Sequence, residues 1–99
     1  MKFVALFSLK QGVDEAKVIQ AAQKRAEYQF PEGLTLIAEY WTAEDSPAVI
    51  SVFEADDAAL LLENSLPWTD YFEATDVLPV VTAEEGLERF AGVSNQPNV

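Results

Sequence analysis

Residues 2–9 read KFVALFSL, and this stretch decides the fold. The run is short, apolar and rich in Phe and Val, and Lys10-Gln11-Gly12 closes it as a turn. That pattern predicts a β-strand. Side chains of a strand alternate between two faces. Phe3, Ala5, Phe7 and Leu9 fall on one face, and Val4, Leu6 and Ser8 on the other. An antiparallel sheet with one wet face alternates apolar and polar residues. Residues 2–9 do not alternate, so both faces of this strand call for cover.

Two more stretches repeat the message. Residues 34–41 (LTLIAEYW) predict a second strand, with Leu34, Leu36, Ala38 and Tyr40 set against Thr35, Ile37, Glu39 and Trp41. Residues 48–54 (AVISVFE) predict a third, with Val49, Ser51 and Phe53 set against Ala48, Ile50 and Val52. A polar loop, 42–47, joins them. A fourth strand is expected at 72–78, and Pro79 beside it cannot donate to a ladder, which places that strand at an edge.

Helices fill the gaps. Asp14 caps a helix whose expected inward stripe is Ala16, Ile19, Ala22 and Ala26, with Phe30 beyond it. Lys17 and Lys24 mark its outer face, Tyr28 is set opposite the stripe near the helix end, and Pro31-Glu32-Gly33 stops the helix. Glu54-Ala55-Asp56-Asp57 opens a second helix by placing carboxylates at its positive end. That helix is expected to run to about Leu66, with Ala58, Leu61, Leu62 and Ser65 inward and Leu60 on the wrong face. Thr82-Ala83-Glu84-Glu85 is a capping box for a short last helix. Gly86 inside it costs ~1 kcal/mol against Ala.

The predicted order is βαββαβ plus a C-terminal helix, an α+β chain with a four-stranded antiparallel sheet. One domain is expected over residues 1–92, with a flexible tail at 93–99. Two short helices cover one sheet face. The other face is more apolar than a monomer usually exposes. A homodimer with the open faces together would cover it, burying at least roughly 1,600 Å². The competing arrangement folds the last helix over the face of its own chain.

Composition narrows the chemistry. The 99 residues hold 17 acids and 6 bases, a net charge of −11, which repels nucleic acid and anionic membranes. Five of the bases, Lys2, Lys10, Lys17, Lys24 and Arg25, lie in the first quarter. They read as a solvated helix face or, more sharply, as a basic patch for an anionic ligand or partner. With no Cys and no His, the chain lacks a thiolate metal site, the usual general base near pH 7 and the commonest transition-metal ligand. No signal peptide and no membrane span are read, so the expectation is a soluble cytoplasmic protein.

The candidate side chains are few. Glu39 and Glu73 are carboxylates inside apolar strands; a solvent-facing or rim position is the plainer reading, and if they face the interior burial would raise their pKa values and suit one to base chemistry. Glu54, Asp56 and Asp57 read as helix-capping charge rather than a cation site, and Glu44 and Asp45 as loop surface charge. Ser8 and Ser51 have no His partner and are no nucleophiles. Tyr28, Tyr40, Trp41, Trp68, Tyr71 and Phe72 form an aromatic set suited to core packing or to lining a pocket for a flat organic ligand. Trp68 stands out because it follows Pro67 in a linker, with Asn64 and Ser65 before it as polar contacts.

Certain residues also carry a resemblance. They are Lys2-Phe3-Val4, Pro31-Glu32-Gly33, Tyr40-Trp41, Phe53-Glu54-Ala55-Asp56-Asp57, Trp68-Thr69-Asp70, and Phe72-Glu73 with Val77-Leu78. In this order the chain resembles the ferredoxin-like dimeric α/β-barrel superfamily over about residues 2–90. More narrowly, it looks like a small bacterial family of uncharacterised domains. The resemblance implies a dimer with a pocket between sheet and helices. Relatives of that superfamily include cofactor-free monooxygenases, muconolactone-type isomerases and haem-handling enzymes. Several of them use His, which this chain lacks, and fold alone carries no function. The expected ligand site is Tyr40, Trp41, Trp68, Tyr71, Glu39 and Glu73, with no catalytic residue, metal or cofactor assigned. A cofactor-independent oxygenase or isomerase and a ligand-free interaction module are the alternatives.

Overall fold

β1 (Lys2–Leu9) lies inside the sheet because both its faces are apolar. β3 (Val49–Ala55) pairs with it on one side and β4 (Phe72–Val80) on the other, both antiparallel. β2 (Leu34–Trp41) pairs with β3, so the strand order is β2-β3-β1-β4. The computed structural model describes residues 1–94. Its helices are α1 (Glu15–Glu27), α2 (Ala59–Ser65) and α3 (Ala83–Ser94), and a 3-10 turn at Leu66–Trp68 follows α2. The chain is α+β with an open antiparallel sheet in βαββαβ order, as its sequence predicts.

Local chemistry accounts for the boundaries. The Asp14 carboxylate accepts from the Lys17 backbone N–H at 3.0 Å, which caps α1. Gly33 has φ +89°, a backbone few other residues tolerate, and a Cβ there would sit 3.1 Å from Asp56 Oδ2. The turn before β2 therefore lies against the start of α2. Thr82 Oγ1 accepts from the Glu85 N–H at 3.0 Å and Glu85 reaches back to the Thr82 N–H at 3.4 Å, so the capping box forms. Pro79 sits in β4, which runs two residues past its expected end but is an edge strand. Of the tail expected at 93–99, residues 93 and 94 continue α3, and the rest lies outside the described residues.

Both outer strands are bulged. In β2 the register passes from Leu36 opposite Phe53 to Ala38 opposite Val52, leaving Ile37 unpaired. In β4 it passes from Asp76 opposite Leu6 to Ala74 opposite Phe7, leaving Thr75 unpaired, and Thr75 Oγ1 donates to the Leu6 carbonyl at 3.2 Å. A bulge resets the alternation of faces. This corrects the simple alternation expected for β2. Leu34, Leu36, Glu39 and Trp41 share the helix-covered face, while Thr35, Ala38 and Tyr40 share the open one.

The core lies between sheet and helices. Phe3, Phe7 and Phe53 form its centre, Phe53 being only 1% exposed, and Leu34 and Leu61 flank it. Burying each such side chain stabilises the fold by about 1.5–3 kcal/mol. The expected α1 stripe is rotated. Ala21 is buried, Ala22 and Arg25 are half-buried, and Ile19 is exposed. On α2, Leu60, Leu61 and Asn64 turn inward and Leu62 is exposed, the reverse of the expectation for Leu60 and Leu62.

The face opposite the helices carries Val4, Leu6, Ile50 and Val52 across its middle. Ile37, Tyr40 and Leu78 on the same face are 50%, 62% and 47% exposed. α3 does not fold over it, since Leu87 and Phe90 of α3 are largely exposed. The molecule extends 60 Å along its longest axis. The radius of gyration is 16.9 Å, against about 13 Å for a compact chain of this size. Among the described residues no helix is long and apolar enough to cross a membrane.

Candidate functional site

The helix-covered face is not solid. Between α1 and the strands, toward the 42–47 loop, an open cleft of about 520 Å³ enters the core. Its floor is Phe7, Phe53, Val49 and Ser51 of β1 and β3. Val18, Ala21, Ala22 and Arg25 of α1 form one wall, at the i, i+3, i+4 and i+7 spacing of a single helix face. Ala21 and Ala22 are too small to fill the space beneath α1. Trp41, Phe72 and the buried Trp68 supply the aromatic walls.

A polar cluster is set into this apolar lining. Arg25 Nε donates to Glu39 Oε1 and Oε2 at 3.1 and 3.0 Å. The indole N–H of Trp41 donates to Glu39 Oε2 at 3.1 Å. The bulge at Ile37 makes this possible by turning Glu39 and Trp41 toward α1. The side chains of Arg25 and Glu39 are 27% and 17% exposed, so the pair is partly withdrawn from water. Deeper in, Tyr28 donates from its hydroxyl to Asn64 Oδ1 at 2.9 Å. Burial raises the pKa of that hydroxyl above its ordinary value, which keeps it protonated.

Of the six residues expected at a ligand site, the structure brings three together: Glu39, Trp41 and Trp68. Tyr40 points to the open face, opposite Ile50. Glu73 is exposed opposite Ser8, and Tyr71 lies beside Phe72 at 6.5 Å but outside the lining. Trp68 is no linker residue. It is 9% exposed in the 3-10 turn and packs edge-on against Tyr28 at 5.2 Å. Arg25 was expected only as one of the early bases, not as a cleft residue. Its signal was the spacing Val18, Ala21, Ala22 and Arg25, a second helix face beside the one expected.

Three of the five early bases are engaged within the chain. Lys2 reaches Glu54 at 3.8 Å and Glu85 at 3.4 Å, Lys24 donates to the Pro67 carbonyl and lies over Trp68, and Arg25 is held by Glu39. Glu54 accepts from the Met1 amino group at 2.5 Å, and that partner holds its carboxyl below the ordinary range. Hydrogen bonds from Thr82 do the same for Glu85. Asp57 accepts from the Ala59 N–H at 2.6 Å, the capping role expected for it.

With fold and cleft in view, the sequence can be placed. The chain belongs to the DUF3303 family. That family is described as a domain of unknown function, and its model matches residues 1–94. The match agrees with the resemblance to a small family of uncharacterised domains. No curated protein and no solved structure matches the chain.

Proposed function

We propose that this DUF3303 protein is a homodimer that binds a small, largely apolar organic molecule in the cleft between α1 and the sheet. One observation carries the ligand reading: a cleft of about 520 Å³ with aromatic and aliphatic walls, into which the Arg25–Glu39 pair is set. Small-molecule sites span about 300–1,000 Å³ and combine apolar walls with a limited set of placed polar groups. The dimer is supported by the apolar open face, where Ile37, Tyr40 and Leu78 remain exposed in a single chain. A second copy is the occupant that such a self-complementary face takes by symmetry.

Catalysis has less support. Glu39 is the strand carboxylate in the cleft, but both its oxygens already accept from Arg25 and one also from Trp41. Glu73 and Tyr40, the other first candidates for an oxygenase or isomerase, stand away from the cleft. A ligand-free interaction module calls for a filled interior, and the cleft argues against it.

The test is a thermal-shift screen of small aromatic molecules on the wild type and on Ala22→Leu, which fills the cleft from α1. A ligand at about 100 times its Kd stabilises the folded chain by about 2.7 kcal/mol. The expected result is hits on the wild type that Ala22→Leu loses while staying folded. No hit, or hits that Ala22→Leu keeps unchanged, overturns the assignment.

A further inference from the structure

The cleft's charge separates ligand classes. Its lining contains five carboxylates, Asp14, Glu15, Glu39, Glu44 and Asp45, and a single cation, Arg25. Arg25 is committed to Glu39. The other four carboxylates lie at the mouth, two where α1 begins and two in the 42–47 loop, and all four residues are exposed. The positive end of the α1 dipole is worth about half a charge and already serves the capping Asp14. Lys17 and Lys24 lie outside the lining, and Lys10 makes no ion pair with these acids among the described residues.

The walls point the same way. Aromatic faces attract cations. The chain uses this twice beside the cleft: Arg25 lies 4.9 Å from the Phe30 ring centre, and Lys24 Nζ lies 5.2 Å from that of Trp68. A cleft with ring walls and an unneutralised acidic mouth suits an apolar body bearing a positive charge. An aromatic acid of the same shape would bring its carboxylate against four others.

We propose that the cleft selects an organic cation, an apolar or aromatic molecule bearing a protonated amine or quaternary ammonium, over the corresponding acid. The inference rests on the cleft being a small-molecule site. Mouth carboxylates act through solvent, so their effect is screened over about 8 Å at physiological ionic strength. The preference therefore weakens as salt rises.

Three probes of one shape test it: naphthylmethylamine, naphthylmethanol and naphthylacetate, titrated by calorimetry and by quenching of tryptophan fluorescence. At low salt the amine is expected to bind at least ~10-fold more tightly than the acetate, with the alcohol between them. In Glu44→Gln/Asp45→Asn, whose exposed loop leaves the core untouched, the alcohol keeps its affinity and the amine loses much of its advantage. An acetate that binds as well as the amine overturns the charge selection and leaves the cleft standing as a ligand site. An amine advantage unchanged in the double variant also overturns it. Failure of all three probes overturns the cleft as a site, and this inference with it.

Discussion

The two faces of the sheet use the same strands for different materials. The helix-covered face has Phe7, Phe53, Trp41 and Phe72 around a cleft. The open face has Val4, Leu6, Ile50 and Val52, with Tyr40 as its one ring. Rings of different tilt leave irregular space between them, and polar tips such as the Trp41 indole fix orientation within it. Aliphatic side chains on a pleated strand make an even surface suited to another of its kind. One face thus holds an open cleft and the other an aliphatic surface, and the proposed ligand site and dimer rest on that contrast.

Residues of the paired strands β3 and β2 give the sharpest contrast. Phe53→Ala removes the most buried ring of the covered face, and the expected loss is about 3–5 kcal/mol of stability, read by chemical denaturation. The loss should be the same at every protein concentration. A cost under about 1 kcal/mol would mean the covered face is not the core. On the open face, Ile37→Asp touches a bulge residue already half exposed in a single chain. Its fold should survive, while a charge buried in the dimer weakens association by at least ~100-fold. The Tm of the wild type should rise with concentration and that of Ile37→Asp should not. Equal concentration dependence in both would erase the distinction between the faces.

Much of the fold was legible in the sequence. β1 and β2 begin and end where their apolar runs do, Asp14 caps α1, and Pro79 marks an edge strand. The cleft was half legible. A bulge leaves no mark in LTLIAEYW, because Ile37 is as good a strand residue as its neighbours. Strict alternation therefore kept Tyr40 with Leu34 and Leu36 and separated Glu39 from them. The rotation of α1 was hidden for a related reason. Ala16, Ile19, Ala22 and Ala26 form the more apolar stripe, while the face with Val18, Ala21, Ala22 and Arg25 carries a charge that only its pairing with Glu39 explains. A pairing between residues 14 apart on different elements has no periodic signature.

Two smaller effects sharpen the picture of the covered face and its surroundings. Arg25→Met leaves Glu39 half-buried without its cation, and a loss of about 1–3 kcal/mol is expected by denaturation. An unchanged midpoint would show that the pair is incidental to the cleft wall. The smallest effect lies at the far end of the sheet. Glu54 and Glu85 ionise more readily in the folded chain than in the unfolded one, where the ordinary value is 4.5. Their contribution is therefore present above that value and is lost as pH falls through the lower folded values. Below pH 4.5 the wild-type Tm should fall more steeply than that of Glu54→Gln/Glu85→Gln. Parallel curves would remove these two contacts from the acid response.

The division of labour between the faces depends on the open face being covered by a second copy. Light scattering coupled to size-exclusion chromatography at micromolar concentration measures this directly. The account predicts a mass twice the 10.9 kDa of the chain. A single-chain mass at that concentration would contradict it.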